Sequence, residues 1–240
     1  MVTSKTHKEN VSRILPLTLL LSLLLACQPS KDATAQTEKA GAPAPAAIGN
    51  AIRYDAQPGG GKVKIEGTSS IHDWSMESPV IGGFIEADAG FPESALKGGD
   101  AAKPKVEVFI PVRTLKSYNK RMDEVYQEHM EMTKFPKMEY KLTELKAKGD
   151  APKAGKCEFD AVGTMTIHGV AKPITMPVTI EKVDGKKLKI SGAIPLKMSD
   201  FGVKPPCPDI GVAKITTGDD IKLIFQWMLG QRKIPAAAAQ

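Results

Sequence analysis

Apolar and polar residues alternate with a period of two along most of the chain beyond residue 50, the signature of half-buried β-strands. Val106, Val108, Ile110 and Val112 fall on one face of such a run, with Lys105, Glu107 and Phe109 on the other. The rule recurs with Met138, Tyr140 and Leu142 set against Lys137, Glu139 and Lys141. Ile174, Met176, Val178 and Ile180 share a face, as do Leu188, Ile190 and Ile194. A last run places Ile221, Leu223, Phe225 and Trp227 opposite Lys222, Ile224 and Gln226. Turn residues separate the runs at Gly59-Gly60-Gly61, Gly98-Gly99-Asp100, Gly149-Asp150, Asp184-Gly185 and Gly218-Asp219. Asp184-Gly185, between two alternating runs, reads as a β-hairpin. Evenly spaced strands joined by short turns predict an all-β domain, an antiparallel barrel or sandwich.

One stretch departs from this rhythm. From Tyr118 to Thr133 the apolar residues Met122, Val125, Tyr126 and Met130 recur at helical spacing, Asn119 stands at a capping position and Phe135-Pro136 ends the run. This predicts a short amphipathic helix between two strands, its apolar side turned to the sheet or to a barrel mouth. Met122 and Met130 would supply an adaptable apolar entrance there, or the helix would plug that end of the core.

The chain's first 50 residues have a different character. Lys5, Lys8 and Arg13 precede an apolar run from Ile14 to Ala26, too short to span a bilayer as a helix. Leu24-Leu25-Ala26-Cys27 resembles a bacterial lipobox, which implies a signal peptide over residues 1–26 and a diacylglyceryl group on the Cys27 thiol. Several acyl chains on one cysteine hold a protein firmly at a membrane. Gln28 is not the Asp that resembles an inner-membrane retention signal. The expectation is therefore a lipid-anchored envelope protein, outer-membrane and facing the periplasm if the host has two membranes. Residues 27–50, rich in Ala, Pro and small polar side chains, read as a flexible tether. Residues 51–230 then form one domain, and 231–240 a disordered tail.

Removing Lys5, Lys8, Arg13 and Glu9 with the signal peptide leaves 30 basic against 26 acidic side chains, a net charge of +4. The lysines are scattered along the alternating runs, and Trp74 and Trp227 are the only tryptophans, so no nucleic-acid-binding surface is indicated. With Cys27 acylated, Cys157 and Cys207 remain, and an even pair in an oxidising compartment predicts a disulfide.

Catalytic patterns are sparse. His72-Asp73 lies near Ser69 and Ser70, but no GxSxG-like elbow accompanies them. His129, Met130 and Met132 do not share a helix face suited to one metal ion. No phosphate loop or dinucleotide fingerprint occurs. The expectation is a protein that is not an enzyme and needs no metal or cofactor, with a His72-dependent lipid-ester hydrolase as the catalytic alternative.

Several blocks, in order, resemble the YceI-like family. They are Thr68-Ser69-Ser70-Ile71-His72-Asp73-Trp74; Leu115-Lys116-Ser117 with Arg121-Met122-Asp123; Phe135-Pro136-Lys137-Met138-Glu139-Tyr140; Gly163 to Val170 with Lys172-Pro173; and Asp200-Phe201-Gly202 with Gly218-Asp219-Asp220-Ile221. The resemblance implies a lipocalin-like, eight-stranded antiparallel barrel whose interior takes a long apolar chain, a polyisoprenoid or a fatty acid or its amide. Under that implication Trp74, Met76 and Tyr140 line one side of the bore and Val108, Ile110 and Met165 another. Met122, Tyr126 and Met130 guard the mouth, where Arg121 or Arg113 would meet a polar head group. A homodimer is plausible by the same resemblance. A filled barrel that docks another envelope protein is the non-lipid alternative.

Overall fold

The computed structural model describes residues 51–232, except for residues 210, 212 and 213. The expected signal peptide over residues 1–26, Cys27, the expected tether over 27–50 and residues 233–240 of the expected tail lie outside the described residues, whereas Gln231 and Arg232, expected in the tail, instead end the last strand. The strands are β1 (Ile52–Ser69), β2 (Trp74–Ser78), β3 (Gly82–Ala87), β4 (Lys105–Pro111), β5 (Lys137–Ala147), β6 (Lys156–Ile167), β7 (Val170–Asp184), β8 (Lys187–Lys197) and β9 (Thr217–Arg232). One α-helix, α1 (Lys120–His129), interrupts them between β4 and β5.

All pairings are antiparallel, and β9 returns to β1 to close the sheet. Nine strands make an eight-membered ring because β2 and β3 share one edge of β1. β2 pairs with Val63–Gly67 and β3 with Ile52–Asp55. The two are halves of one strand broken at Pro79, whose missing N–H cannot continue a ladder. β1 bends opposite the break, where its register against β9 slips between Ala56 and Gly61. A side chain at Gly61 would strike the backbone N of Ile81 at 2.7 Å, so only glycine fits this corner.

Alternation holds within the strands, with one instructive exception. Met138 and Tyr140 face inward, but the register of β5 shifts between Leu142 and Glu144, and Leu145 is the next fully inward residue. A bulge of one residue moves every later side chain to the opposite face. Asp184-Gly185 lies in the β7–β8 turn, where Asp184 Oδ1 accepts the N–H of Lys186 at 2.9 Å.

The two ends of the barrel differ. One end is packed solid: Phe91 and Ala95, from the segment between β3 and β4, sit with Phe159, Leu188 and Leu229, all 1% exposed or less. β1 begins and β9 finishes at this end, with Arg53 opposite Arg232. The other end carries α1, the 70–73 turn after β1 and the long 198–216 connection into β9.

Cys157 and Cys207 are both free, against the predicted disulfide. Cys157 is buried near the start of β6, at the packed end, whereas Cys207 lies exposed on the connection at the other end. β6 needs ten further residues, about 33 Å of strand, to reach Ile167 at that far end. No disulfide spans such a separation.

Candidate functional site

The open end holds a cavity of about 440 Å³. Its walls come from the halves of the strands nearer this end: Ile65 on β1, Trp74 and Met76 on β2, Met138 on β5, Ile167 on β6, and Ile221 and Leu223 on β9. α1 roofs it with Met122, Val125 and Tyr126, followed by Met130; Phe201, Val203 and Ile215 of the long connection close the remaining side. The lining is overwhelmingly apolar, in a volume suited to a small ligand.

The cavity is a cup, not a tunnel. Register sets Val108 opposite Tyr140, and Tyr140 opposite Met165, in one row across three strands. This row forms the floor, one inward step below Met138 and Ile167. Of the nine residues predicted to contact a ligand, Trp74, Met76, Met122, Tyr126 and Met130 line the cup. Val108, Ile110, Tyr140 and Met165 do not: Tyr140 and Met165 are buried in the core, with Val108 and Ile110 packed against it. Periodicity identifies an inward face but not the depth at which side chains stop filling the bore. Ile65, Met138, Ile167 and Leu223 are lining residues that the sequence reading did not select. The signal available for them was position, since each lies near the mouth end of an alternating strand.

Trp74 is held flat by its cross-strand partner. Gly67 stands opposite it in the register, and the indole covers the space a β-carbon would need. The indole Nε1 donates to the carbonyl of Thr68 at 3.0 Å.

α1 is held largely by polar ties. Asn119 Oδ1 accepts the N–H of Met122 at 3.2 Å, the cap anticipated from the sequence. Asp123 Oδ1 accepts the N–H and the hydroxyl of Ser117 at 2.8 and 2.7 Å, and Lys116 Nζ lies 3.5 Å from Oδ2. Desolvation pushes the Asp123 carboxyl pKa up, but the Ser117 bonds and Lys116 outweigh it and hold the group below its ordinary value. At the last residue of the helix, His129 Nδ1 lies 3.0 Å from the carbonyl of Lys204, and just past it Glu131 Oε1 lies 3.1 Å from His168 Nε2.

The remaining candidates lie at the rim of the cup, as Arg121, His72 and Ser69 do, or outside it. Arg121 borders the cup but its side chain is 79% exposed and 3.6 Å from Glu124; Arg113 is exposed and outside the cup. His72 Nδ1 meets the carbonyl of Asp73 at 2.7 Å rather than a carboxylate, and Ser69 Oγ donates to the carbonyl of His72. No base-to-nucleophile bond of the serine-hydrolase kind joins them. Among the described residues, no three His, Cys, Asp or Glu side chains gather as a metal site.

A closed eight-membered antiparallel barrel with one helix has the lipocalin-like fold. Residues 54–229 match the YceI-like domain, and the chain belongs to that family. It is 27% identical to a UPF0312 protein of Pseudomonas putida over 176 residues, 67% of this chain and 85% of that protein. A UPF0312 protein of Pseudomonas fluorescens is 27% identical over 178 residues, 68% of this chain and 86% of the relative. The fold is similar to Burkholderia cenocepacia BcnA, with a TM-score of 0.56 at 17% identity over 72% of this chain and 99% of that one. It is likewise similar to a polyisoprenoid binding domain from Saccharophagus degradans implicated in plant cell wall breakdown. There the TM-score is 0.55 at 8% identity, covering 75% of this chain and 98% of the neighbour.

Proposed function

We propose that this protein is a lipid-anchored envelope protein that sequesters or carries one long apolar chain, a polyisoprenoid or fatty acyl compound, with its tip in the cup beneath α1. The observation that carries the reading is the cup itself: a cavity of about 440 Å³ with apolar walls, open to solvent at one end of an otherwise packed barrel. Each methylene moved from water into such a site contributes about 0.8 kcal/mol before ordering costs. Cys27 would carry the anchor, and the tether would join the domain where β1 begins, at the packed end. The outer membrane would be the anchoring surface and the periplasm the working compartment.

Native mass spectrometry of the protein purified from a bacterial host, followed by organic extraction and identification of the extract, tests this. A stoichiometric isoprenoid or acyl compound is the expected result. A protein that arrives empty and takes up no added long-chain lipid would overturn it, and would favour a barrel that docks another protein.

A further inference from the structure

A second cleft lies on the outer face of the barrel, where β9, β1 and β2 run side by side. It holds about 480 Å³ and shares no lining residue with the cup. Its origin is the β1 corner, where the second strand breaks at Pro79 and the register of β1 against β9 slips between Ala56 and Gly61. Glycines keep it open: a β-carbon at Gly60 would meet Cβ of Met228 at 2.7 Å, so this wall is bare main chain. Register supplies the polar side. Lys62 stands opposite Gln226, and both point outward because their neighbours Val63 and Trp227 are buried. Glu77 lies between the buried Met76 and Ser78 and faces outward from β2. Its cross-strand neighbour Lys64 pairs with Glu66 instead, at 2.8 Å. Tyr118, two residues beyond the Lys116 backbone that bonds to Glu77, forms the lip. Its side chain is 89% exposed and its φ is 63°. An aromatic residue in the left-handed region is strained, and strain of this kind gathers at ligand clamps and other functional positions.

We infer that this cleft is a second binding site, for an uncharged sugar, with one face of the ring stacked on Tyr118 and its hydroxyls bonded to Glu77, Lys62 and Gln226. A tyrosine ring offers a flat apolar face beside a polar tip. A carboxylate only accepts hydrogen bonds, an ammonium only donates, and a carboxamide does both. A sugar ring matches that set, since it has a C–H face and a row of hydroxyls that each donate and accept. The lining holds one carboxylate and one ammonium, so no net charge draws an ion, and its polar share offers a hydrocarbon little. The volume suits a mono- or disaccharide. Because the cleft is separate from the cup, this inference stands or falls independently of the apolar-chain reading.

The test is saturation-transfer NMR on the full chain with cellobiose, maltose and diacetylchitobiose. Each is supplied at about 50 mM, above the dissociation constant of about 1–10 mM expected of so small a ligand in an open cleft. Wild type is expected to bind at least one of them. Tyr118→Ala removes a ring that is almost wholly exposed, so the variant should melt with wild type while binding the sugar about three- to tenfold more weakly, the range of one lost aromatic contact. Glu77→Gln keeps the shape and removes the charged acceptor, and should weaken the same sugar at least about threefold. Saturating methyl palmitate, a probe for the cup, should leave sugar binding unchanged. Absence of transfer to all three sugars overturns the inference. So does an affinity that neither variant alters, which places the sugar elsewhere, or displacement of the sugar by methyl palmitate, which places it in the cup.

Discussion

Leu223 and Leu229 lie six residues apart on the same face of β9, and a cup closed by a floor makes opposite demands on them. Leu223 is 6% exposed and borders the cavity; Leu229 is 0% exposed and belongs to the packed end. Truncating Leu229 to alanine removes a side chain enclosed by Ala56 and Leu188 across the two neighbouring strands. The loss then includes both the transfer term and a new cavity, about 3–5 kcal/mol. Leu223 already faces empty space on one side, so fewer contacts are forfeited and the cost should fall near the lower limit, about 2 kcal/mol. For a domain of this size each kcal/mol is worth about 2–4 °C in Tm. Leu229→Ala should therefore melt several degrees below Leu223→Ala in thermal denaturation followed by circular dichroism. Binding should show the reverse order, with retained lipid altered by Leu223→Ala and unchanged by Leu229→Ala in the folded protein. Equal melting temperatures would refute the distinction between the two ends. Longer chains admitted by Leu229→Ala would refute the floor, because they would show a continuous bore.

Three further outcomes follow from the same geometry. Asp123→Asn, which keeps the shape but removes the charge held by Ser117 and Lys116, should cost about 1–2 kcal/mol and speed ligand release, measured by stopped-flow transfer to vesicles. Because the folded pKa of Asp123 is depressed, its contribution is complete above the unfolded value near 3.8 and is lost as pH falls through the folded value; the variant's stability deficit should shrink over that acid range. Cys207 should react with iodoacetamide in the native protein and Cys157 only in denaturant, since Cys157 is buried and desolvation raises its thiol pKa; recovery of a peptide pair joined through these cysteines would contradict the fold as described.

Much of the barrel could be read from alternation alone. The inward faces of β4, β5, β7, β8 and β9, the hairpin at Asp184-Gly185 and the Asn119 cap are local properties, set by strand and helix periodicity and by turn chemistry. The broken second strand was less legible, because Pro79 forbids a ladder bond without indicating that the chain resumes on the same edge of β1. The site divides in the same way. Residues on or beside α1 were identifiable because an amphipathic helix inside an all-β pattern needs something to cover. Val108, Tyr140 and Met165 were misplaced because depth within a barrel depends on register between strands far apart in sequence. The cysteine pairing failed for a related reason: counting thiols gives no distance, and the fold sends these two to opposite ends.

The roof is the element on which exchange should turn. α1 has ten residues, none of them fully buried, and an isolated helix of that length is marginal in water. Its apolar side chains Met122 and Tyr126 are only partly buried against the core and, with Val125, also border the cavity, so the free protein draws less hydrophobic stabilisation from them than from a fully packed layer. What remains is the set of polar ties at Asn119, Asp123 and His129. Local opening of α1 should therefore cost much less than unfolding of the barrel, whose strands are bonded on both edges. A ligand in the cup supplies the missing apolar partner and stabilises the closed roof by mass action. Hydrogen exchange should then find the α1 amides opening faster than those of β6 and β9 in the free protein. Saturating methyl palmitate should slow α1 selectively. Uniform protection of helix and strands, or slowing confined to the strands, would mean that the roof is not the gate and that the ligand enters by another path.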